Sequence, residues 1–335
     1  MTVDEAALPH GDGPDAVGGG GPRRSVRARF EVWWSGYWYE PMPVRRLDAV
    51  ARILFVTIIF ITLSPDHWVI DHGDVPTSWY QPVLVARILQ IPAPTPTTIA
   101  FVQTAIVVAC ALAMLRVLPR LTSAAVFAGV STWIIWAFSY GKVDHDRLTI
   151  VVALLALALT PRKGPDVEAR TGWAIRLIQV TFALAYPFSA IVKLQTAGFE
   201  WANGAVFARA IIRRDGLLGD VLIDYPALLR AGQWAFICFE LFAVVLLCRN
   251  TRLRAVAIVG VLGLHAFTYA TIGISFLPHT ICIVAFFPLE KLGDAMAQEW
   301  ERLRRSARSR SSGGAATMAA SPPETSSGGT RLGTD

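Results

Sequence analysis

Phe182-Ala-Leu-Ala-Tyr186-Pro187-Phe-Ser189-Ala-Ile-Val-Lys193-Leu194 closes an apolar segment that starts near residue 172, and it sets a lysine among residues suited to lipid. An ammonium at membrane depth costs several kcal/mol on insertion scales, so its surroundings decide what the segment is for. Gln179, Tyr186 and Lys193 recur every seven residues and Ser189 lies four before the lysine. On a helix all four share one stripe, which predicts a polar seam facing protein or a wet cavity. The alternative is that Lys193 lays its stem along lipid and snorkels to the interface. Pro187 lacks a backbone donor and predicts a kink near residue 183.

The rest of the chain matches this setting. Of 335 residues, 53% are hydrophobic and only 17% charged, against roughly 25% charged in soluble domains. Eight apolar stretches follow one another, at about 47–64, 97–118, 121–140, 146–161, 172–194, 228–248, 254–273 and 275–290. The expected fold is therefore all-α, a polytopic bundle of about eight transmembrane helices, with the fourth and eighth short for a bilayer. Residues 1–25 and 293–335, rich in Gly, Ser and Ala after a basic start, lack the side chains to bury a core and predict disordered tails. The segment 83–91 is penned in by prolines and predicts a short interfacial helix.

Basic residues set the orientation. Arg45 and Arg46 precede the first span, Arg116 and Arg120 follow the second, Arg162 and Lys163 the fourth, and Arg249 and Arg252 the sixth. The positive-inside rule then places both termini in the cytoplasm and makes the chain a multi-pass plasma-membrane protein. The net charge of +6 is thus accounted for beside membrane segments and does not imply nucleic acid. The third outer loop, 195–227, runs against the rule with Arg209, Arg213 and Arg214, and its pattern from Ala205 predicts an amphipathic helix on the outer surface or a positively charged wall above a site. Trp33, Trp34, Tyr37, Trp38 and Tyr39 form an interfacial aromatic belt or a face for a lipid-like substrate. Cys110, Cys238, Cys248 and Cys282 lie in apolar segments without metal spacing. His67 and His72, beside Asp66 and Asp71, lack a clear helix beneath them, and no metal is expected.

Further polar groups sit on other spans. Asp144-His145-Asp146-Arg147 opens the fourth at the depth of Lys193, Gln233 and Glu240 are seven apart in the sixth, and His265, Thr268 and Tyr269 share a face of the seventh. Polar faces on several helices imply an internal cavity whose members satisfy one another. Each also has a structural reading, as helix cap or interhelical glue. No internal repeat of the kind transporters carry is visible.

Three of these stretches, in order, resemble one family. Tyr186-Pro-Phe-Ser-Ala-Ile-Val-Lys193-Leu194 with Glu200-Trp201-Ala-Asn-Gly204 is similar to the lysine-leucine and W-x-x-G run of the horizontally transferred transmembrane (HTTM) domain, the membrane domain of vitamin K-dependent gamma-carboxylases. Asp144-His145 with the closing Leu-Thr160-Pro161, and His265 with Gly273 and Phe276, resemble two further family segments; together they cover about residues 26–292. The resemblance implies a reduced quinone (vitamin K or menaquinol) as cofactor. Lys193 would be the base that deprotonates it, His145 would stabilise charge on its oxygen, and His265 would line the pocket with Tyr186, Ser189, Trp201, Tyr269 and Glu240. In the carboxylases oxygenation then yields a base that removes a gamma proton from a peptide glutamate, and the carbanion takes up carbon dioxide. A secreted peptide is thus the implied substrate. The sequence departs from the family at Val192, at Pro187 and in the spacing to Trp201, and the large lumenal domain of the carboxylases has no counterpart after residue 292. The second expectation is an accessory membrane protein that binds quinone or lipid, or assists maturation or export of a secreted peptide, without chemistry of its own.

Overall fold

A computed structural model describes residues 26–64, 71–141, 143–214 and 216–319. It is all-helical among those residues, with helices α1 (Val26–Trp38), α2 (Val44–Leu63), α3 (Leu84–Ile88), α4 (Pro96–Met114), α5 (Pro119–Phe138), α6 (Leu148–Leu159), α7 (Val167–Ala197), α8 (Ala205–Arg214), α9 (Gly219–Leu222), α10 (Pro226–Phe242), α11 (Thr251–Ile272), α12 (Leu277–Thr280) and α13 (Leu289–Ala319). Short 3-10 turns extend several of them, notably Ala243–Leu247 after α10 and Ile281–Phe286 after α12.

The centre is α7. Thr171, Ala174, Ile175, Ile178, Phe182, Ala183, Tyr186 and Ala190 are buried at intervals of three and four, the spacing that keeps one helical face inward. That face meets α6, α2, α10 and the two turns 243–247 and 281–286, while α4 and α5 close the other side against α2 and α6. The helix is continuous across Pro187.

The outward faces stay apolar. Phe60, Phe101, Phe242, Val256 and Val259 are each about two-thirds exposed or more. Five helical segments, α4, α5, α7 with the turn to Ala202, α10 with the turn to Leu247, and α11, are long and apolar enough to cross a membrane. The other three expected spans are helical too but fall short of that standard. Helix α2 opens with Arg45, Arg46, Asp48 and Arg52. Helix α6, at 12 residues, is about 18 Å long, and the segment Leu277–Phe286 is shorter still in residues. An apolar bilayer core of about 30 Å exceeds both.

Ion pairs gather one end of the bundle. Asp48 near the start of α2 accepts Arg116 after α4 and Arg162 after α6, while Arg46 grips Glu290 at the start of α13 through Nη2–Oε1 at 2.5 Å. Arg176 of α7 bonds Glu40, and the Met42 amide donates to the Glu168 carbonyl. The entry to α2 and the exit into α13 therefore lie at the same, basic end. The Arg46 guanidinium holds the Glu290 carboxyl below its ordinary range, against the opposing effect of burial. A depressed folded pKa adds stability that is complete above the unfolded value of about 4.3 and is lost as pH falls through the folded one. Glu290→Gln is expected to lower stability at neutral pH by about 1.5–3 kcal/mol. Its unfolding curve should converge on that of the unaltered protein in acid, which thermal melts across pH will check.

Gly172 permits the α1–α2 linker to press on α7. A Cβ at that position would stand 1.9 Å from the Glu40 carbonyl oxygen, so any larger residue must push backbone away. Gly172→Ala is expected to cost about 1–3 kcal/mol in thermal unfolding, as overpacking does.

Two expected peripheral segments are helical. The amphipathic helix expected from Ala205 is α8, Ala205–Arg214, and the segment 83–91 contains α3 with Leu84 and Ile88 exposed. The C-terminal expectation needs correction: the region read as disordered from residue 293 is helical through Ala319. Glu, Lys, Arg, Met and Ala dominate its first half and favour helix, no proline intervenes before Pro322, and Arg45–Asp294 with Arg46–Glu290 fixes its first turns. Residues 1–25 and 320–335, expected as tails, lie outside the described residues, as do Asp66 and His67.

Candidate functional site

Lys193 turns inward. Its Nζ stands 2.6 Å from both Oε1 and Oε2 of Glu240, and the side chains are 20% and 5% exposed. Helix α7 brings the lysine to its last turns, and α10 presents Glu240 on the face it buries with Gln233 and Ile237. The ammonium also lies 4.9 Å from the centroid of Trp201 and 4.6 Å from that of Phe236, so two ring faces complete its surroundings. The position of Trp201 is fixed from below, where Gln233 Nε2 donates to its carbonyl at 2.5 Å. Gly204, at φ +97°, then turns the chain into α8, a backbone state that favours glycine.

A second pair lies on the same wall. The Tyr186 hydroxyl meets His265 Nε2 at 2.7 Å, joining α7 to α11. The other ring nitrogen, Nδ1 of His265, is buried with no hydrogen-bond partner among the described residues. Buried polar atoms are nearly always satisfied, so an orphan on a cavity wall is a place for a ligand atom. If Nε2 donates to the tyrosine, Nδ1 is an acceptor; if Nε2 accepts, Nδ1 carries a proton to give.

Both pairs open on one cavity of about 170 Å³. Tyr186, Ser189, Lys193, Glu240, His265 and Thr268 line it, with Asp146, Phe236 and Phe276 at its sides. Ser189 lies one turn before the lysine and within reach of the Glu240 carboxylate. The volume is below the roughly 300–1,000 Å³ of drug-sized sites but above the roughly 150 Å³ that accepts a benzene ring, so it suits a ring-sized group.

His279 completes the wall and was not singled out by the sequence. It stacks on Phe182 with centroids 4.4 Å apart and planes 5° from parallel, and its Nδ1 pairs with Thr149 Oγ1 at 2.9 Å. The signal was present: a histidine after Pro278 inside an apolar stretch obeys the rule that drew attention to Lys193.

Two expected residues sit elsewhere, and the side chain of a third is not described. Gln179, though on the stripe, is taken up by Arg176 and by the Ala285 carbonyl. Tyr269 is 61% exposed and points away from the cavity, which Thr268 lines instead. The backbone of His145 lies in a 3-10 turn at the mouth, its side chain lies outside the described residues, and its neighbour Asp146 lines the cavity.

No protein-family model, curated protein or solved structure matches the chain.

Proposed function

We propose that the chain is an integral membrane protein of the plasma membrane, with about eight crossings and both termini cytoplasmic, that performs acid–base chemistry on a reduced quinone within the bilayer. The observation that carries the reading is the convergence of the Lys193–Glu240 and Tyr186–His265 pairs on one ring-sized cavity. Five apolar helices and the apolar outward faces support the membrane placement.

The residues present fit an aromatic head group. The cavity admits a ring, Phe236 and Phe276 offer faces to it, and the orphaned Nδ1 of His265 offers a hydrogen bond to a ring oxygen. A reduced quinone, when bound, supplies the electrons for oxygen chemistry. Glu240 takes a proton from the Lys193 ammonium along their 2.6 Å hydrogen bond, which leaves a neutral amine and a neutral carboxylic acid. The amine lone pair would then be placed to accept the hydroxyl proton of a bound reduced quinone. Tyr186 couples its hydroxyl to His265 Nε2, which leaves Nδ1 as the nitrogen that would hydrogen-bond an oxygen of the ring. Ring faces of Trp201 and Phe236 keep the ammonium stable once it has formed. A peptide glutamate as final acceptor, approaching from the outer face, completes this reading.

A second reading is favoured by one detail. Both Glu240 oxygens are occupied by Lys193, which is how a purely structural ion pair looks. The chain would then be an accessory protein that binds quinone or lipid in support of peptide maturation or export.

Quinone binding tests the shared part of both readings. In nanodiscs, the protein is expected to retain reduced menaquinone, measured by extraction and chromatography, and Thr268→Phe, which fills the cavity, is expected to abolish retention. Equal retention by the two would refute a head-group site in this cavity.

A further inference from the structure

A second cavity, of about 310 Å³, opens at the basic end between α2, the α4–α5 turn and the residues after α6. Four cations line it, Arg52, Arg116, Arg162 and Lys163, against one carboxylate, Asp48. Asp48 is shared between Arg116 and Arg162 Nε, the latter at 3.2 Å, while Arg52 and Lys163 have no ion-pair partner among the described residues. Arg162 is largely buried, and burial pulls its pKa down, with the Asp48 carboxylate opposing and the Arg116 charge adding to the fall. The site holds more positive charge than its single acid can balance.

The backbone is arranged for this. Arg116 and Leu118 both adopt left-handed conformations, at φ 60° and 44°, within the short turn joining α4 and α5. Strained non-glycine residues persist where surroundings hold them, and here the Arg116 contact to Asp48 is what the strain delivers. Pro119 and Ser123 of α5 also line the cavity.

Apolar surface adjoins the charge. Phe55 and Met114 form part of the inner wall, and Leu115, Leu118 and Leu121, which flank the lining residues Met114, Arg116 and Pro119 in sequence, form a rim about two-thirds exposed. A soluble anion has no use for such a rim. A lipid places its head in the cavity and its chains along the leucines.

We propose that this cavity binds the phosphate headgroup of an anionic phospholipid of the cytoplasmic leaflet, with Arg52 and Lys163 as its direct contacts and the acyl chains on Leu115, Leu118 and Leu121. The proposal rests on the membrane placement above and is independent of chemistry at Lys193. Basic pockets between helix ends on the cytoplasmic side are suited to such headgroups.

The test uses the full chain in nanodiscs of phosphatidylcholine with and without phosphatidylglycerol, followed by native mass spectrometry of the extracted protein. Wild-type protein is expected to retain phosphatidylglycerol selectively. Arg52→Gln/Lys163→Gln is expected to bind it about 30-fold more weakly, at about 1 kcal/mol per cation, while melting like wild type in pure phosphatidylcholine. The single variants Arg52→Gln and Lys163→Gln, each with a smaller loss, serve if the double variant does not fold. Equal retention by wild type and variants overturns the proposal. Release of the lipid by millimolar inorganic phosphate overturns the lipid assignment in favour of a soluble phosphate ligand. Failure of the chain to enter bilayers at all removes the membrane placement and the proposal with it, an outcome separate from loss of selectivity.

Discussion

Glu240→Gln is expected to destabilise the protein by about 3–5 kcal/mol, the largest single-residue effect the structure implies. The substitution keeps size and shape but strands the Lys193 ammonium, 20% exposed, beside an amide that cannot neutralise it. Two aromatic faces at 4.6 and 4.9 Å soften the loss without supplying a counter-charge. The paired replacement Lys193→Met/Glu240→Leu removes both charges together. It is expected to recover most of the stability, because a buried ion pair and an apolar pair of similar volume are often of nearly equal worth. Thermal unfolding in nanodiscs of the three proteins measures this. A Glu240→Gln protein as stable as wild type would mean that Lys193 reaches water or headgroups instead.

Much of this arrangement was legible in the chain. Heptad spacing placed Tyr186, Ser189 and Lys193 on one face, and Glu240 with Gln233 on another, because side-chain direction along a helix follows from residue count alone. Spacing did not say which polar groups would meet. Glu240 takes the lysine while Gln233, two turns earlier, serves the Trp201 carbonyl, a contact set by how α10 lies against the turn 198–202. Tyr269 shows a second limit. Residues i+3 and i+4 from His265 diverge around the helix, and α11 sits at the edge of the bundle with few buried positions. Thr268 falls on the inner side and Tyr269 on the outer. His279 went unread because the last apolar stretch is short and broken, α12 running into a 3-10 turn, so no long period pointed to it. The C-terminal region was judged by its Ser/Gly-rich end, whereas the helix-favouring residues that precede it, anchored at Glu290 and Asp294, decide its conformation as far as Ala319.

Loss of turnover without loss of fold is the second large effect. General-base catalysis contributes about 10²–10⁴-fold, so Lys193→Met/Glu240→Leu is expected to lower turnover of a reduced quinone by at least that factor while remaining folded. The double variant is the right comparison because Lys193→Ala alone leaves a buried carboxylate unpaired and confounds chemistry with stability. The decisive measurement supplies reduced menaquinone or vitamin K and oxygen to the protein in nanodiscs and follows quinone epoxide by chromatography and mass spectrometry. Epoxide is expected from the wild type and none above background from the double variant. Absence of epoxide from a folded, quinone-binding wild type, or equal epoxide from both proteins, would contradict Lys193 as the base and leave the Lys193–Glu240 pair a structural one.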